Sequence, residues 1–295
     1  FIDRIFSDLR HKLPPLIQEI TERPRGEVVA DLGGHYDLAA QQALSRRLME
    51  ILGFAFGSGR LDVSTHPFST GVAGEPWNRQ PVGQARSMSI HESQSLLFEK
   101  QLFLAEPFVA FLTPLLHELF PSLRQQDARH LWKAMTRVRP GLIRVAADEV
   151  TYPMHVILRH EIESALINGS LEASDIPELW NTRMQEYLGL STTGDYRNGC
   201  MQDIHWPSGA FGYFPSYTLG ALNAAQICAA LRNALPEFDE LLVAGDFRPI
   251  RAWLGEKIWS QGSFLDAQEL MRQATGAPTH AEPFIHHLRS RYLGC

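Results

Sequence analysis

The sequence predicts a mainly α protein built as a single large helical domain with few short strands, and three observations carry that expectation. Apolar residues recur every three or four positions along most of the chain. Strand-like alternation is short and rare, and no fixed-period repeat or low-complexity tract interrupts the pattern. In a first helix, Ile2, Ile5, Phe6, Leu9 and Leu13 fall on one face. Pro24, Gly26, Gly33 and Gly34 mark the first connection. A second helix carries Leu38, Leu44, Leu48, Ile51 and Leu52 in register, and Gly53, Gly57 and Gly59 punctuate the chain after it. Further helices are expected over about residues 85–120, 124–138, 149–168, 176–189, 216–234, 247–261, 265–274 and 280–291. If the helix over 149–168 starts near Glu149 or Val150, Pro153 falls in its first turn, where no intrahelical donor is lost. Asp148 is then the expected N-cap, with the Glu149 charge favourable beside the helix N-terminus.

A chain of 295 residues with 44% hydrophobic content can bury a full core. Its 27 basic and 33 acidic residues give a net charge of −6, and the basic ones are spread out rather than gathered in a stripe that could track phosphates, so nucleic acid is not expected as a partner. Three cysteines, Cys200, Cys228 and Cys295, have no Cys-x-x-Cys spacing, which fits a reducing, cytoplasmic setting. No apolar run approaches the roughly 18 to 20 residues of a membrane span, and no membrane partner is expected. The chain opens on Phe1, already in the middle of an amphipathic pattern, and so reads as a fragment.

Four segments carry candidate chemistry. Ile90 to Lys100 places His91 and Glu92 at the head of a helix, with Glu92, Leu96 and Glu99 on one face; this is half of a metal site or a solvated acidic edge. His66, before Pro67 and Phe68, is biased toward extended backbone that could aim its ring into a cleft, or it makes a structural hydrogen bond. Arg144 stands in an apolar, small-residue run from Leu142 to Asp148. Buried arginine demands a partner, either Asp148 in an ion pair or a bound carboxylate gripped by the guanidinium fork. From Gly199 to Tyr217, glycines, aromatics and polar residues crowd together as an irregular loop. There Asp203 could orient the His205 imidazole, and Tyr213 is a candidate donor to a developing oxyanion; the alternative is an aromatic plug that closes the domain.

Taken together and in this order, Leu61 to Phe68, Ile90 to Ser95, Ile143 to Tyr152 and Gly199 to Tyr217 resemble the carboxypeptidase Taq family of metallocarboxypeptidases. The resemblance covers nearly the whole chain. It implies a neurolysin-like, almost entirely helical fold with an active-site cleft, a cytoplasmic homodimer, and removal of single C-terminal residues from peptides with a free C-terminus. It also implies zinc, with cobalt or manganese able to occupy the same ligands. By the same resemblance Glu92 is a metal ligand, Arg144 anchors the substrate carboxylate, Tyr213 donates to the transition state, and His66 and His205 line the cleft.

One departure is sharp. The family holds its zinc through a His-Glu-x-x-His helix as well, whose glutamate activates the metal-bound water, and no such motif occurs here. The family's Asp-x-Arg-x-Thr motif is also absent. Both losses fall between Gly74 and Glu75, because Glu75-Pro76-Trp77 resembles the family segment after the zinc helix. Residues 1–295 are thus expected to be one helical metallocarboxypeptidase domain, its C-terminal portion, with a few dozen residues missing at that junction. Alternatively the deletion is genuine and the protein is a non-catalytic relative acting as a dimeric binding or scaffold protein.

Overall fold

The computed structural model describes residues 1–23, 32, 36–54, 80–84 and 87–294. His66 and the Gly74–Glu75 junction lie outside the described residues. Twelve α-helices are described, in chain order α1 (Ile2–Glu22), α2 (Leu38–Ile51), α3 (Met88–Leu96), α4 (Glu106–Leu119), α5 (Ala128–Met135), α6 (Tyr152–Ile167) and α7 (Ile176–Leu188), followed by α8 (Pro215–Ala234), α9 (Phe238–Ala244), α10 (Arg248–Lys257), α11 (Ala267–Thr275) and α12 (Glu282–Leu293). Among the described residues there is no strand, so the mainly α expectation holds without even the few short strands. The chain divides into two compact helical units, one comprising residues 1–25, 137–222 and 280–295, the other 26–136 and 223–279.

In the first unit α1, α6 and α7 pack on one another. Helix α1 buries Ile5, Phe6, Leu9, Leu13, Leu16, Ile17 and Ile20, the three-and-four spacing that the sequence displays. These residues meet a core that includes Met154, Ile157, Ile162, Trp180 and Met184. A polar tie reinforces the packing: Glu161 of α6 accepts hydrogen bonds from Tyr187 Oη at 2.8 Å and Arg10 Nη1 at 3.0 Å, and pairs with Arg183 Nε at 2.9 Å. His160 beside it bonds Asp3 Oδ1 at 3.0 Å. The His160-Glu161 dipeptide is therefore a helix-packing device.

The second unit gathers α4 with α2, α5 and α9. Its core includes Leu97, Leu102, Phe108, Leu112, Leu131, Ile227, Leu242, Ile250 and Met271. Phe103 stacks on Phe108 with ring centroids 4.7 Å apart, and Phe247 meets Phe108 edge-on at 5.7 Å, arrangements the aromatic quadrupole favours. The long helix expected over 85–120 is interrupted. It runs as α3, changes to a π-helical turn over Leu97–Leu102, and restarts at α4, whose first turn contains Pro107. A proline fits there because the N–H it lacks has no partner in the first turn. The π turn also undoes the expected face, since Glu99 lies in it, exposed and paired with Lys100.

The start of α6 departs from expectation in an informative way. The helix begins at Tyr152 with Pro153 in its first turn, three residues later than the cap reading places it. Asp148 instead caps the preceding turn, its Oδ1 accepting from Val150 N and Thr151 N at 3.0 Å each. Glu149 does not serve the helix dipole. It is buried in the first unit against α12, where Oε1 accepts from Arg291 Nη1 at 2.5 Å and Tyr292 Oη at 2.7 Å, and Oε2 lies 3.1 Å from His287 Nε2. Burial alone would raise the carboxyl pKa, but Arg291 and His287 outweigh it and hold the group at about 2.

An unfolded glutamate titrates near 4.5, so as pH falls from there toward 2 the unfolded chain takes up the proton first and the native state loses stability. A difference of that size corresponds to roughly 3 kcal/mol at neutral pH. Glu149→Gln, which takes the buried negative charge away from Arg291 and His287, is expected to destabilise the protein by about 3–5 kcal/mol in urea denaturation at pH 7. It should also flatten the acid limb of the stability curve between pH 4.5 and 2. An unchanged acid limb would show that this carboxylate does not govern acid unfolding.

Candidate functional site

The chemistry-bearing residues of the first unit are organised by α6. His155, Arg159 and Glu163 lie four residues apart and so share one face of the helix, and all three are buried. That face receives the segment from Gly199 to Tyr217, which is irregular up to Tyr213, as its glycines and aromatics lead one to expect. Glu163 fastens the segment by accepting from Trp206 Nε1 at 2.9 Å and Gly212 N at 3.1 Å. Gly212 adopts φ +77°, a conformation that disfavours any side chain. Gly199 is required by space: a Cβ there would sit 2.7 Å from the Asp195 carbonyl oxygen.

Gln202 and Asp203 join this segment to the stretch that carries Arg144. Gln202 Oε1 accepts from Arg144 N at 2.8 Å, while its Nε2 donates to the Leu142 carbonyl at 3.0 Å. Asp203 is shared by two arginines, one on each oxygen. Arg144 donates to Oδ1 from Nη2 at 2.7 Å and Nε at 3.0 Å; Arg159 donates to Oδ2 from Nε at 2.7 Å, with Nη2 at 2.6 Å. The third edge of the Arg144 fork, Nη1, donates to Tyr152 Oη at 3.0 Å. Both guanidinium groups lie against rings, Arg144 5.0 Å from the centroid of Tyr217 and Arg159 4.5 Å from that of Trp180, which suits weakly hydrated planar cations.

Electrostatics follow from this crowding. Burial would raise Asp203, but the two arginines more than offset it and its pKa is lowered. Arg159, with its side chain 0% exposed, is pulled down to about 10 by desolvation and remains a cation at neutral pH. Desolvation, with Arg159 and Arg144 nearby, pulls His155 down to about 3, so it stays neutral. His205 is lowered mainly by burial, then by Arg144. Two arginines share the Asp203 carboxylate, and a second carboxylate, Glu163, lies four residues from Arg159 and within its electrostatic reach.

The expected Asp203–His205 orienting pair does not form. His205 Nδ1 lies 3.8 Å from Asp203 Oδ1, beyond hydrogen-bond range, because the arginines claim both carboxylate oxygens. The imidazole is oriented instead by Tyr217 Oη, 3.0 Å from Nε2. Tyr213 is half-buried beside it, its ring centroid 5.7 Å from His205 and 5.3 Å from Tyr217. Arg144 does form an ion pair, but with Asp203 rather than Asp148. Arg144, Asp203, His205 and Tyr213 thus come together as one cluster. Sequence reasoning overlooked His155, Arg159, Glu163, Tyr152 and Tyr217 as its members; the available signal was the polar stripe at four-residue spacing through the apolar α6. Trp206 and Asp203 also line a pocket of about 480 Å³ whose other walls include Ile176, Pro177, Tyr196 and Met201.

In the second unit, His91 and Glu92 sit in the first turns of α3, both half-buried. Their neighbours are structural. Ser93 Oγ donates to Ile90 O at 2.6 Å, and the buried Gln94 accepts from Trp259 Nε1 at 2.9 Å. Among the described residues no three His, Cys, Asp or Glu side chains converge as a metal site requires. Glu92 as described therefore does not by itself fit a metal, in keeping with the absence of His-Glu-x-x-His from the sequence.

Comparison with known proteins agrees with the order of motifs. A model of the carboxypeptidase Taq (M32) metallopeptidase family matches residues 1–75 and 71–292, in two pieces that meet at the anomalous junction. Carboxypeptidase 1 of Bacillus subtilis is 32% identical over 327 residues, covering 99% of this chain and 65% of its own length. Thermostable carboxypeptidase 1 of Pyrococcus furiosus is 32% identical over 331 residues, covering 99% and 66%. Among solved structures, metallocarboxypeptidase 1 of Trypanosoma cruzi superposes with a TM-score of 0.94 at 38% identity, over 99% of this chain and 68% of that one. The M32 carboxypeptidase of Deinococcus radiodurans superposes with a TM-score of 0.90 at 28% identity, over 99% and 66%. The chain thus spans a little under two thirds of the length of the Bacillus relative. An alignment of 327 positions to a chain of 295 also leaves at least 32 positions without a counterpart here. On the family match over nearly all its residues, this chain belongs to the carboxypeptidase Taq (M32) family of metallopeptidases.

Proposed function

We propose that the protein is a metallocarboxypeptidase that takes peptides by their free C-terminus and releases single terminal residues. Besides membership of the family, the observation that supports this reading is that Arg144 does not hold Asp203 alone, since Arg159 takes the other oxygen of the same carboxylate. A guanidinium that shares its carboxylate partner with a second arginine, and whose third edge donates to the neutral Tyr152 hydroxyl, is suited to a bound carboxylate. Arg144 is the proposed anchor. His205 and Tyr213, beside it, are proposed to meet the peptide, with Tyr213 as a hydrogen-bond donor to the scissile carbonyl oxygen as charge develops there. His66, outside the described residues, is proposed as a further substrate-contacting residue on the family resemblance alone.

Zinc is the proposed ion, with cobalt or manganese compatible with the same donor types. Held by Glu92 together with further ligands, such an ion would supply Lewis-acid activation of water and of the scissile carbonyl. Glu92 is the proposed ligand contributed by the residues present, and the family resemblance implies that its partners belong to a His-Glu-x-x-His helix that this sequence lacks. A homodimer in the cytoplasm is the proposed state of the protein.

Arg144→Ala is expected to abolish the preference for a free C-terminal carboxylate over the corresponding amide, a loss of about tenfold to a hundredfold in kcat/KM. Equal activity of the unaltered protein on amidated peptides would remove the anchor role. Glu92→Gln should lower bound zinc measured by elemental analysis, and unchanged metal content would exclude Glu92 as a ligand. If protein whose intact mass equals that of the 295 residues binds no zinc and releases no amino acid, the non-catalytic binding role takes the place of this reading.

A further inference from the structure

The Arg144 fork that the proposed function needs for substrate is already in use. Its Nε and Nη2 both point at Asp203 Oδ1, and its side chain is only 7% exposed. A buried ion pair of one arginine and one aspartate would resist giving up its cation, because the carboxylate left behind would be uncompensated in a low-dielectric interior. This pair is not alone. Arg159 holds the other oxygen of the same carboxylate through Nε and Nη2, and it is fixed in turn by Nη1 donating to the His155 carbonyl at 2.7 Å and by the Trp180 ring beneath it.

Arg159 cannot meet a ligand, since its side chain is fully buried. It is also not needed to neutralise Asp203, for which Arg144 would suffice. We infer that Arg159 is a positioning residue: by keeping Asp203 compensated from the Oδ2 side, it frees Arg144 to transfer its fork to an incoming carboxylate. The inference rests on the proposed role of Arg144. The separation of the two arginines onto different oxygens makes the exchange feasible, because Oδ1 can lose both Arg144 donors while Oδ2 keeps its hydrogen bond from Arg159 Nε and the ion pair with Nη2. Tyr152, a neutral acceptor on Nη1, is the other contact to be given up, at less cost than an ionic one. With Arg159 absent, Arg144 and Asp203 become a closed neutral pair and the fork is locked.

The test is isothermal titration of the purified protein with an N-acetylated dipeptide, phenylalanyl-leucine, and with its C-terminal amide. The unaltered protein should bind the acid about tenfold to a hundredfold more tightly than the amide. Arg159→Met, similar in length and uncharged, should bring that ratio close to one although Arg144 is intact. Arg159→Met combined with Asp203→Asn should restore the ratio to at least half its original logarithm, because no carboxylate remains to hold Arg144. Arg159→Lys, which keeps the charge, should retain most of it. Should Arg159→Met fail to fold by circular dichroism, Arg159→Gln carries the same expectation.

A merely structural role predicts weaker binding of acid and amide alike, with no rescue by the second substitution. An unchanged ratio in folded Arg159→Met, or no rescue in the folded double variant, overturns the inference while the anchor role of Arg144 stands. No preference for the acid in the unaltered protein overturns the anchor role, and the inference with it.

Discussion

Asp203 is the point on which the first unit's polar architecture depends. One carboxylate receives two arginines from separate stretches of chain, Arg144 from the segment before α6 and Arg159 from α6 itself. Without the carboxylate, two buried guanidinium groups of like charge would keep only the neutral acceptors Tyr152 Oη and the His155 carbonyl, a costly arrangement in an interior. With it, the loop, the helix and the preceding segment are held in one geometry. Gln202, next in sequence, repeats the link at the level of the backbone by binding both Arg144 N and the Leu142 carbonyl. The aromatic residues that follow enclose the pair, and their π faces cover cations that have left water.

Helix α6 is the frame for this arrangement, and it is polar on two faces for different reasons. One face carries His155, Arg159 and Glu163, and from it Arg159 reaches the loop through Asp203 and Glu163 through Trp206 and Gly212. The other carries His160 and Glu161, which tie the helix to Asp3 and Arg10 of α1 and to Arg183 and Tyr187 of α7. Glu149, just ahead of the helix, repeats the principle with Arg291, His287 and Tyr292. Buried charges with several partners each fix orientation more than they add stability, since the cost of leaving water offsets most of the attraction. Fixed orientation is what the proposed recognition of a peptide C-terminus would require.

Much of the fold was legible in the sequence because helical periodicity is a local property. The spacing of Ile5, Phe6, Leu9 and Leu13 needs only the geometry of a helix to predict which face is buried, and α1 buries that face. The short α9 escaped notice because seven residues hold too few turns to show a period. The late start of α6 escaped because Asp148 can cap a turn as readily as a helix, and the choice rests with Glu149, which finds its partners on α12. Likewise Glu99 was assigned to the face of Glu92 by α-helical spacing, which the π turn after Leu96 breaks.

The sequence by itself determined the helical class, the order of four motifs that marks the family, and the absence of a His-Glu-x-x-His helix at one junction. Those are properties of residue type and local spacing, which need no knowledge of what lies opposite. Only the tertiary structure decided the pairings. Arg144 joins Asp203, 59 residues away, rather than Asp148 four residues on, and His205 takes its orientation from Tyr217 rather than from Asp203. The reason is that a buried charge selects whichever partner the fold brings within about 3 Å, and sequence separation does not enter that choice.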